Sequence, residues 1–183
     1  MTKKTAFIIG VILVTLGVAS RFLPHLWNVT PLTAILLFSS TYLGLRYSLI
    51  IFFSTIIVTD IFIGFYEWQI MLAVYGSFVL ASLLGSVIKK YKTPTTILFC
   101  SLGSSILFFV VTNYAVWQFS GMYEHSIVGI LECFTLALPF FKNSLFGDLF
   151  YTGVIFGAYE AVKYVSLQHS ILKKKNNEKV VVS

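Results

Sequence analysis

The sequence predicts an all-α protein, a polytopic bundle of membrane-spanning helices. Hydrophobic residues make up 57% of the 183 positions and charged residues only 11%. A typical soluble domain has roughly 25% charged residues, so this chain lacks the polar surface that a soluble fold needs. The apolar residues also form runs close to the length of about 20 residues that a helix needs to cross a bilayer. The basic residues cluster between these runs, as they do at the ends of membrane helices.

Six runs are candidate spans, although the second of them is short. They are Ala6–Leu23, Pro31–Leu45, Ser48–Tyr66, Ile70–Ile88, Thr95–Trp117 and Ser144–Val165. A seventh apolar stretch, Ile127–Phe141, is too short for a span, and we interpret it as a helix on the outer face or a partly re-entrant segment. Residues 1–172 then form one integral membrane domain, followed by a basic cytoplasmic tail, residues 173–183, that we expect to be disordered.

The distribution of Lys and Arg predicts the orientation of the six spans. With the N-terminus in the cytoplasm, eleven basic residues lie inside or at the inner helix ends, and two, Arg21 and Lys142, lie outside. This asymmetry follows the positive-inside rule, and a seventh span would place Lys173–Lys175 outside. We therefore predict a multi-pass protein of the bacterial inner membrane with both termini cytoplasmic. The first run follows Lys3 and Lys4 as a signal peptide would, but we expect it to be retained as a span.

Polar residues concentrate toward the outer face and define a candidate binding site. Asp60 lies about 9 Å below the outer end of the third span, at 1.5 Å per residue. Charged groups in a membrane cost about 2.5–3.5 kcal/mol on insertion scales, so they persist when they are paired or face water. Three outer loops add aromatic and polar side chains, a combination typical of small-molecule sites. The predicted substrate-binding residues are Arg21, His25, Trp27, Asn28, Asp60, Asn113, Trp117, Lys142, Asn143 and Asp148.

One function that fits these residues is the binding and uptake of a small nutrient, by a substrate-binding membrane subunit or a solitary transporter. In this hypothesis Arg21, Lys142 and Asn143 hold a carboxylate or phosphate group of the substrate. Trp27 and Trp117 stack on a ring of the substrate, while Asp60 and Asp148 orient the cationic side chains. Rigid-body tilting or gating would carry the outer site inward.

The alternative is a non-catalytic structural or assembly subunit of a larger membrane complex. In that case the polar groups are internal bridges, in which Asp60 and Asp148 pair with Arg21 and Lys142, and no ligand binds. The two hypotheses differ in the expected partner, which is a small molecule in the first and other membrane subunits in the second.

Motifs for enzymatic work are missing from the sequence. There is no phosphate-binding GxxxxGK[ST] loop, so the chain does not carry its own ATPase. There is also no HExxH or GxSxG motif, and His25, His125 and His169 are too scattered to form a metal site. We expect no enzymatic activity, no cofactor, no metal and no nucleic-acid partner.

Several segments resemble those of a known class of transport proteins. The start of the Pro31–Gly44 helix, the Asp60-x-x-x-Gly64 end of the third span and the helix from Tyr75-Gly76 to Gly85 resemble the S components (substrate-binding subunits) of energy-coupling-factor vitamin transporters. This resemblance implies a vitamin or related nutrient as the substrate, captured at the outer face. It also implies an ATPase or coupling module as a further partner beside the lipid bilayer.

Other segments resemble an uncharacterised family of small bacterial integral membrane proteins. Arg21–Pro31, Leu138–Asn143 and Gly147-Asp148 are similar to segments that recur in that family, and the similarity covers most of residues 20–160. The family brings no known activity, so it supports the fold more than the function.

Small residues predict close helix packing at two places. Ser77, Ala81 and Gly85 repeat every four residues along the fourth span. S components commonly carry an Ala-x-x-x-Ala face on the first span for docking, and Ala6-x-x-x-Gly10 is the nearest match here. A cobalt-ligating cysteine occurs in an S-component-like protein linked to cobalamin uptake, and the resemblance implies that part for Cys133. From its apolar surroundings alone, Cys133 is instead a buried thiol that behaves as a small hydrophobic side chain.

Overall fold

Each predicted apolar run forms helix in the computed structural model, which describes residues 2–23 and 29–181. Within these residues the chain has six helices and no strand, so the predicted all-α fold class is confirmed. The helices are α1 Lys3–Phe22, α2 Leu32–Tyr42, α3 Leu45–Ile63, α4 Trp68–Tyr91, α5 Pro94–Phe119 and α6 Ile127–Val181. All except α2 contain an apolar stretch long enough to cross a membrane, and the protein is a membrane helix bundle.

Local sequence explains where several of these helices begin and end. The Thr93 hydroxyl accepts a hydrogen bond from the Thr96 N–H at 3.1 Å, and α5 then begins at Pro94, which has no N–H to leave unsatisfied. At the other side of the bundle α3 ends at Gly64, whose N–H donates to the Asp60 carbonyl. Gly64 has φ +106°, a conformation that favours glycine, so the chain can turn sharply just after Asp60.

Helix α2 lies at the centre of the bundle and contacts each of the other five helices. Every residue from Leu32 to Thr41 is buried. The buried hydroxyls are satisfied by neighbouring groups, as where the Thr41 hydroxyl donates to the Leu37 carbonyl at 2.7 Å. With 11 residues, α2 is about 16 Å long at 1.5 Å per residue. It covers only about half of a hydrocarbon core roughly 30 Å thick, so space remains beyond its first turn.

The small residues of α4 allow this helix to approach α2 closely, as the sequence predicts. Ser77, Ala81 and Gly85 are all buried. A Cβ atom on Gly85 would lie 2.6 Å from the Ser40 Cβ and 2.7 Å from the Leu37 carbonyl oxygen. The small-residue pair on the first span, Ala6-x-x-x-Gly10, is not closely packed at Gly10, because a Cβ on Gly10 would meet nothing within 4 Å.

The stretch Ile127–Phe141 is not a re-entrant segment, because it is continuous with the last predicted span in one helix, α6. Its predicted position at the outer face stays a prediction. Pro139 removes one backbone hydrogen bond without ending the helix. Packing against α5 supports this part of the helix, since the Phe109 ring lies 5.5 Å from that of Phe134 and 4.5 Å from that of Phe141. The apolar part of α6 has 43 residues, about 65 Å, so part of it extends beyond the hydrocarbon core.

The C-terminal tail also differs from our expectation of disorder. Helix α6 continues to Val181 and so includes most of residues 173–183. Lys, Glu and Leu are good helix formers, and the sequence has no Gly or Pro after Gly157 that would end the helix.

The bundle has two chemically different ends. At one end the Tyr42 hydroxyl donates to Glu160 at 2.6 Å, and the Lys92 ammonium lies 5.6 Å from the centre of the Tyr42 ring. Glu160 also forms an ion pair with Lys163, at 3.1 Å. We call this the basic end, with Arg46, Lys89, Lys90, Lys92 and Lys163. The opposite end, which we call the cavity end, contains Arg21, Asp60 and Asp148.

Candidate functional site

A buried ion pair joins the first and third helices at the cavity end. The Arg21 Nη2 atom lies 2.7 Å from Oδ1 of Asp60, and the Asp60 side chain is 1% exposed. The Tyr75 hydroxyl of α4 donates to the other carboxylate oxygen of Asp60. Both oxygens of Asp60 are therefore engaged, which agrees with its predicted role in orienting a cation.

Arg21 keeps a donor that the ion pair does not use. Its Nη1 atom is buried and has no hydrogen-bond partner among the residues that the structure describes. A buried donor without an acceptor is costly, by about 1–3 kcal/mol. Arg21 also lines a cavity at this end.

Asp148 is a second buried acid, but its surroundings differ from those of Asp60. Its carboxylate accepts a hydrogen bond from the Ser105 hydroxyl at 2.6 Å and a further one from the Thr33 side chain. The ion pairs found in the described part of the chain are Arg21–Asp60 and Glu160–Lys163, so Asp148 has no cationic partner there. Its predicted bridge to Lys142 is not formed, because Lys142 is exposed.

A cavity of about 210 Å³ lies between these groups, above the first turn of α2. All six helices of the described chain contribute to its wall, directly or through the segments beside them. Its apolar side is Leu32, Ile56, Val74, Phe78 and Phe108, and its polar side is Arg21, Thr30, Thr33, Tyr66, Ser105, Ser144 and Asp148. This mixture of an apolar wall with a few converging polar groups is typical of small-molecule sites.

The short central helix explains why the cavity exists. Because α2 begins near the middle of the bundle, the helices around it continue past its first turn and enclose an open space. Pro31 precedes α2 and supplies no side-chain cap, and the first helical residues, Leu32 and Thr33, line this space. The segment before α2 also packs tightly on α6, since a Cβ on Gly147 would lie 3.1 Å from Val29 Cγ1.

A second cavity of about 150 Å³ adjoins the first between α5 and α6. The two share Ser105, Phe108 and Ser144 as lining residues. Asn113, a predicted site residue, lines this second cavity, although its amide already donates to the Phe109 carbonyl at 2.7 Å. A ligand larger than the first cavity would extend this way, toward Asn113.

Tyr66, in the loop after α3, completes the rim of the main cavity. Burial and the nearby Asp60 carboxylate raise the pKa of Tyr66 to about 12, against a smaller opposite effect of Arg21. The hydroxyl therefore remains a neutral hydrogen-bond donor at any physiological pH. In the sequence Tyr66 is the last residue of the third predicted span, and no pattern connects it to the acids.

The structure brings together part of the predicted site and separates the rest. Arg21 and Asp148 line the main cavity, and Asp60 holds Arg21 in place. Trp117 does not line either cavity, because its indole N–H donates to the Glu124 carbonyl at 3.0 Å and its ring packs near His125. Asn143 is half-buried and is not among the lining residues of either cavity. The predicted residues His25, Trp27 and Asn28 lie outside the described residues.

Sequence reasoning missed three hydroxyl groups that define the site. Ser105 and Thr33 bind the Asp148 carboxylate, and Tyr75 binds Asp60. The sequence contains a pattern that could have indicated Ser105, because Ser101, Ser104 and Ser105 lie close together in a mostly apolar span. No such pattern indicates Thr33, since a lone threonine at the start of an apolar helix is ordinary.

Cys133 is not placed to bind a metal in this site. It is buried against α5, where its thiol lies 3.5 Å from the Asn113 carbonyl oxygen. It does not line either cavity. Within the described ranges, no three His, Cys, Asp or Glu side chains come together as a metal site would require.

The chain belongs to a protein family of unknown function, DUF6580, whose sequence profile matches residues 1–171. This agrees with the resemblance to an uncharacterised family. No curated protein and no solved structure matches the sequence. The comparisons give no support to the resemblance to S components, which therefore stays a prediction.

Proposed function

We propose that this protein binds a small molecule in the cavity at its outer face and takes part in its uptake across the bacterial inner membrane. The observation that carries the proposal is the cavity of about 210 Å³ lined by Arg21 and by Asp148, whose carboxylate has no cationic partner among the described residues. Burial of such groups in a membrane is costly, and they are accordingly found mainly at functional sites.

The contrast between the two buried acids supports binding over a purely structural role. A polar cluster that only holds helices together would pair its charges, as Arg21 and Asp60 do at 2.7 Å. Asp148 lies at the same end without such a partner among the described residues, beside an open space. A bound molecule would supply the partner that Asp148 lacks there.

Transport by this protein would need energy from elsewhere, since the sequence has no phosphate-binding loop. In an S-component-like arrangement the chain supplies the substrate site, and a separate ATPase or coupling module drives the movement. A solitary carrier would instead move its substrate down a gradient. In both cases the protein performs no chemical reaction on the molecule that it binds.

Native mass spectrometry of the protein, extracted mildly from its own membranes, tests the proposal. We expect a bound small molecule of defined mass on the wild type. Ser144→Phe places a phenyl ring between the two cavities and should release that molecule, because Ser144 lines both. Ala158→Phe adds the same ring to an exposed position of α6 and serves as the matched control. A wild-type protein without any bound molecule would contradict the proposal.

Thiol labelling in intact cells tests the orientation. Met122→Cys introduces a thiol at an exposed position of the cavity end, and Tyr91→Cys introduces one at an exposed position of the basic end. The native cysteines are buried and give a low background. A membrane-impermeant reagent should label Met122→Cys in intact cells and Tyr91→Cys only after permeabilisation. The reverse pattern would place the cavity on the cytoplasmic side.

A structural or assembly role is the second candidate, and an exposed face of α6 favours it. Gly153 and Gly157 are exposed, and a Cβ on either would meet nothing within 4 Å. A pair of glycines four residues apart lets another membrane helix approach closely. This candidate predicts that a stoichiometric protein partner copurifies and is lost when Gly157→Leu is introduced, with no small molecule bound.

A further inference from the structure

The charges around the cavity do not balance. Arg21 contributes one positive charge, but the Asp60 carboxylate at 2.7 Å neutralises it. Asp148 then adds one negative charge, and it is 6% exposed. Its two partners, Ser105 and Thr33, are neutral hydroxyl groups that donate hydrogen bonds without compensating the charge. Counted over the described lining residues, the site therefore carries one excess negative charge when Asp148 is ionised. In a region of low dielectric this charge would strongly attract a positive one.

The aromatic residues of the wall favour the same type of ligand. Phe78 and Phe108 both line the cavity, and their ring centres lie 5.1 Å apart. Tyr66 adds a third ring at the rim. Aromatic faces attract cations, most strongly where water is excluded. An ammonium group near Asp148 would thus be held by a carboxylate on one side and by aromatic rings on another.

The other polar groups that line the cavity are neutral. Thr30 and Ser144 contribute hydroxyl groups, and the described lining residues include no further charge. These groups fit a neutral part at the other end of a bound molecule.

We propose that the ligand of this cavity is a small organic cation, whose positive nitrogen lies against Asp148 and whose other end is neutral. This inference rests on the proposed function and specifies its substrate class. The positive charge distinguishes it from a carboxylate or phosphate ligand, for which Arg21 is already occupied and Lys142 is exposed.

Three probes with one common body test the charge of the ligand. Phenethylamine is a cation, phenylalanine is a zwitterion and 3-phenylpropanoate is an anion, while all three carry the same phenyl group. Binding is measured as the rise in unfolding temperature of the purified protein with increasing probe. A thiol-reactive dye reports unfolding, because both cysteines are buried in the folded protein. We expect phenethylamine to stabilise the wild type most, phenylalanine less, and 3-phenylpropanoate not at all.

Two variants and a matched control connect the effect to the cavity. Asp148→Asn should raise the apparent Kd for phenethylamine by about tenfold or more, because a buried charge pair loses one partner. Glu67→Gln removes one negative charge from an exposed position at the same end and should leave that Kd unchanged. Phe108→Leu keeps the acid and the apolar wall, and should weaken phenethylamine binding by about threefold through the lost ring. This last variant keeps the test decisive if Asp148→Asn does not fold.

The possible results separate this inference from the proposed function. If 3-phenylpropanoate stabilises as well as phenethylamine, or if Asp148→Asn and Glu67→Gln behave alike, the ligand is not a cation held by Asp148. If phenethylamine does not stabilise the wild type, the inference of a cation held by Asp148 is also contradicted. If native mass spectrometry finds a bound molecule that is anionic or uncharged, the inference that the ligand is a cation is wrong, and the proposed binding function still holds. Wild-type protein that carries no molecule overturns the binding function itself.

Discussion

The cavity end and the basic end of the bundle are built on opposite principles. At the basic end α2 and α4 pack without space, and hydroxyl groups bond to carbonyls across the interface, as from Thr41 to Gly85 at 3.0 Å. At the cavity end the same two helices separate around an open space, and the buried groups are charged. Small residues and short hydrogen bonds are the usual means of joining helices in a membrane, where lipid removes the hydrophobic drive between them. Buried charges are costly in a membrane and occur mainly at functional sites, which is why we propose the cavity end as the binding site.

Within the cavity end, the two buried acids differ from each other in a similar way. Asp60 is paired with Arg21 and Tyr75 and so acts as part of the fold. Asp148 has hydroxyl partners but no described cation, and it faces the cavity. If this difference is correct, substitutions at the two positions should have effects of opposite sign on stability.

The largest loss is expected when the ion pair is broken. Asp60→Asn leaves the Arg21 guanidinium buried without its counter-ion, and the free energy of unfolding should fall by about 3 kcal/mol. Thermal unfolding followed with a thiol-reactive dye measures this change. The double variant Arg21→Met with Asp60→Leu should recover most of the loss, because an apolar pair replaces the charged one. If Asp60→Asn were as stable as the wild type, Asp60 would not contribute to the stability of the fold.

A smaller loss is expected from crowding the closely packed interface at the basic end. Gly85→Ala would force α4 away from Ser40 and Leu37, at a cost of about 2 kcal/mol. Gly76→Ala on the same helix is the control, because its added Cβ meets nothing within 4 Å, and it should be neutral or slightly stabilising. Equal effects of the two substitutions would show that α2 and α4 are not packed as closely as described.

Asp148→Asn should change stability in the other direction. In protein without a bound ligand, the substitution removes a buried negative charge that has no described counter-ion, and the free energy of unfolding should rise by about 1 kcal/mol. The Ser105 hydroxyl can still donate to the amide oxygen. Thermal unfolding of Asp148→Asn and Asp60→Asn in the same detergent measures this difference. A similar loss of stability in both variants would mean that the two acids have the same role.

The smallest effect is expected at the surface of the basic end. Tyr42→Phe removes the hydrogen bond of 2.6 Å to Glu160, which is largely exposed, and should cost about 0.5 kcal/mol. Tyr47→Phe removes an exposed hydroxyl on α3 and should cost nothing measurable by the same unfolding assay. A loss of several kcal/mol at Tyr42 would mean that the basic end also depends on a polar network.

Composition and charge clustering were sufficient to predict the all-α membrane bundle, and the four-residue spacing of Ser77, Ala81 and Gly85 predicted close packing of α4. The continuity of α6 could not be predicted, because Pro139 is a local signal against a helix and the packing of Phe109 that supports the helix there is a tertiary contact. The helical tail was missed because composition rich in lysine is compatible with either state.

The sequence predicted how far along each helix the site residues lie, but not toward which side of the helix they point. The positions of Arg21, Asp60 and Asp148 along their helices placed them correctly near one end. Trp117 and Lys142 lie near that end as well, but they do not line the cavity. In a soluble helix the polar side identifies the exposed face, whereas in a membrane both the lipid-facing and the buried faces are apolar. Rotation about each helix axis, and with it the pairing of Thr33 and Ser105 with Asp148, therefore required the structure.

The most direct measurement of the central claim, that one acid serves the fold and the other a ligand, is native mass spectrometry of wild type and Asp148→Asn prepared side by side from their own membranes. We predict that the wild type carries a small molecule of defined mass, and that Asp148→Asn is folded, at least as stable, and free of that molecule. The same bound molecule in both proteins, or none in either, would contradict the account.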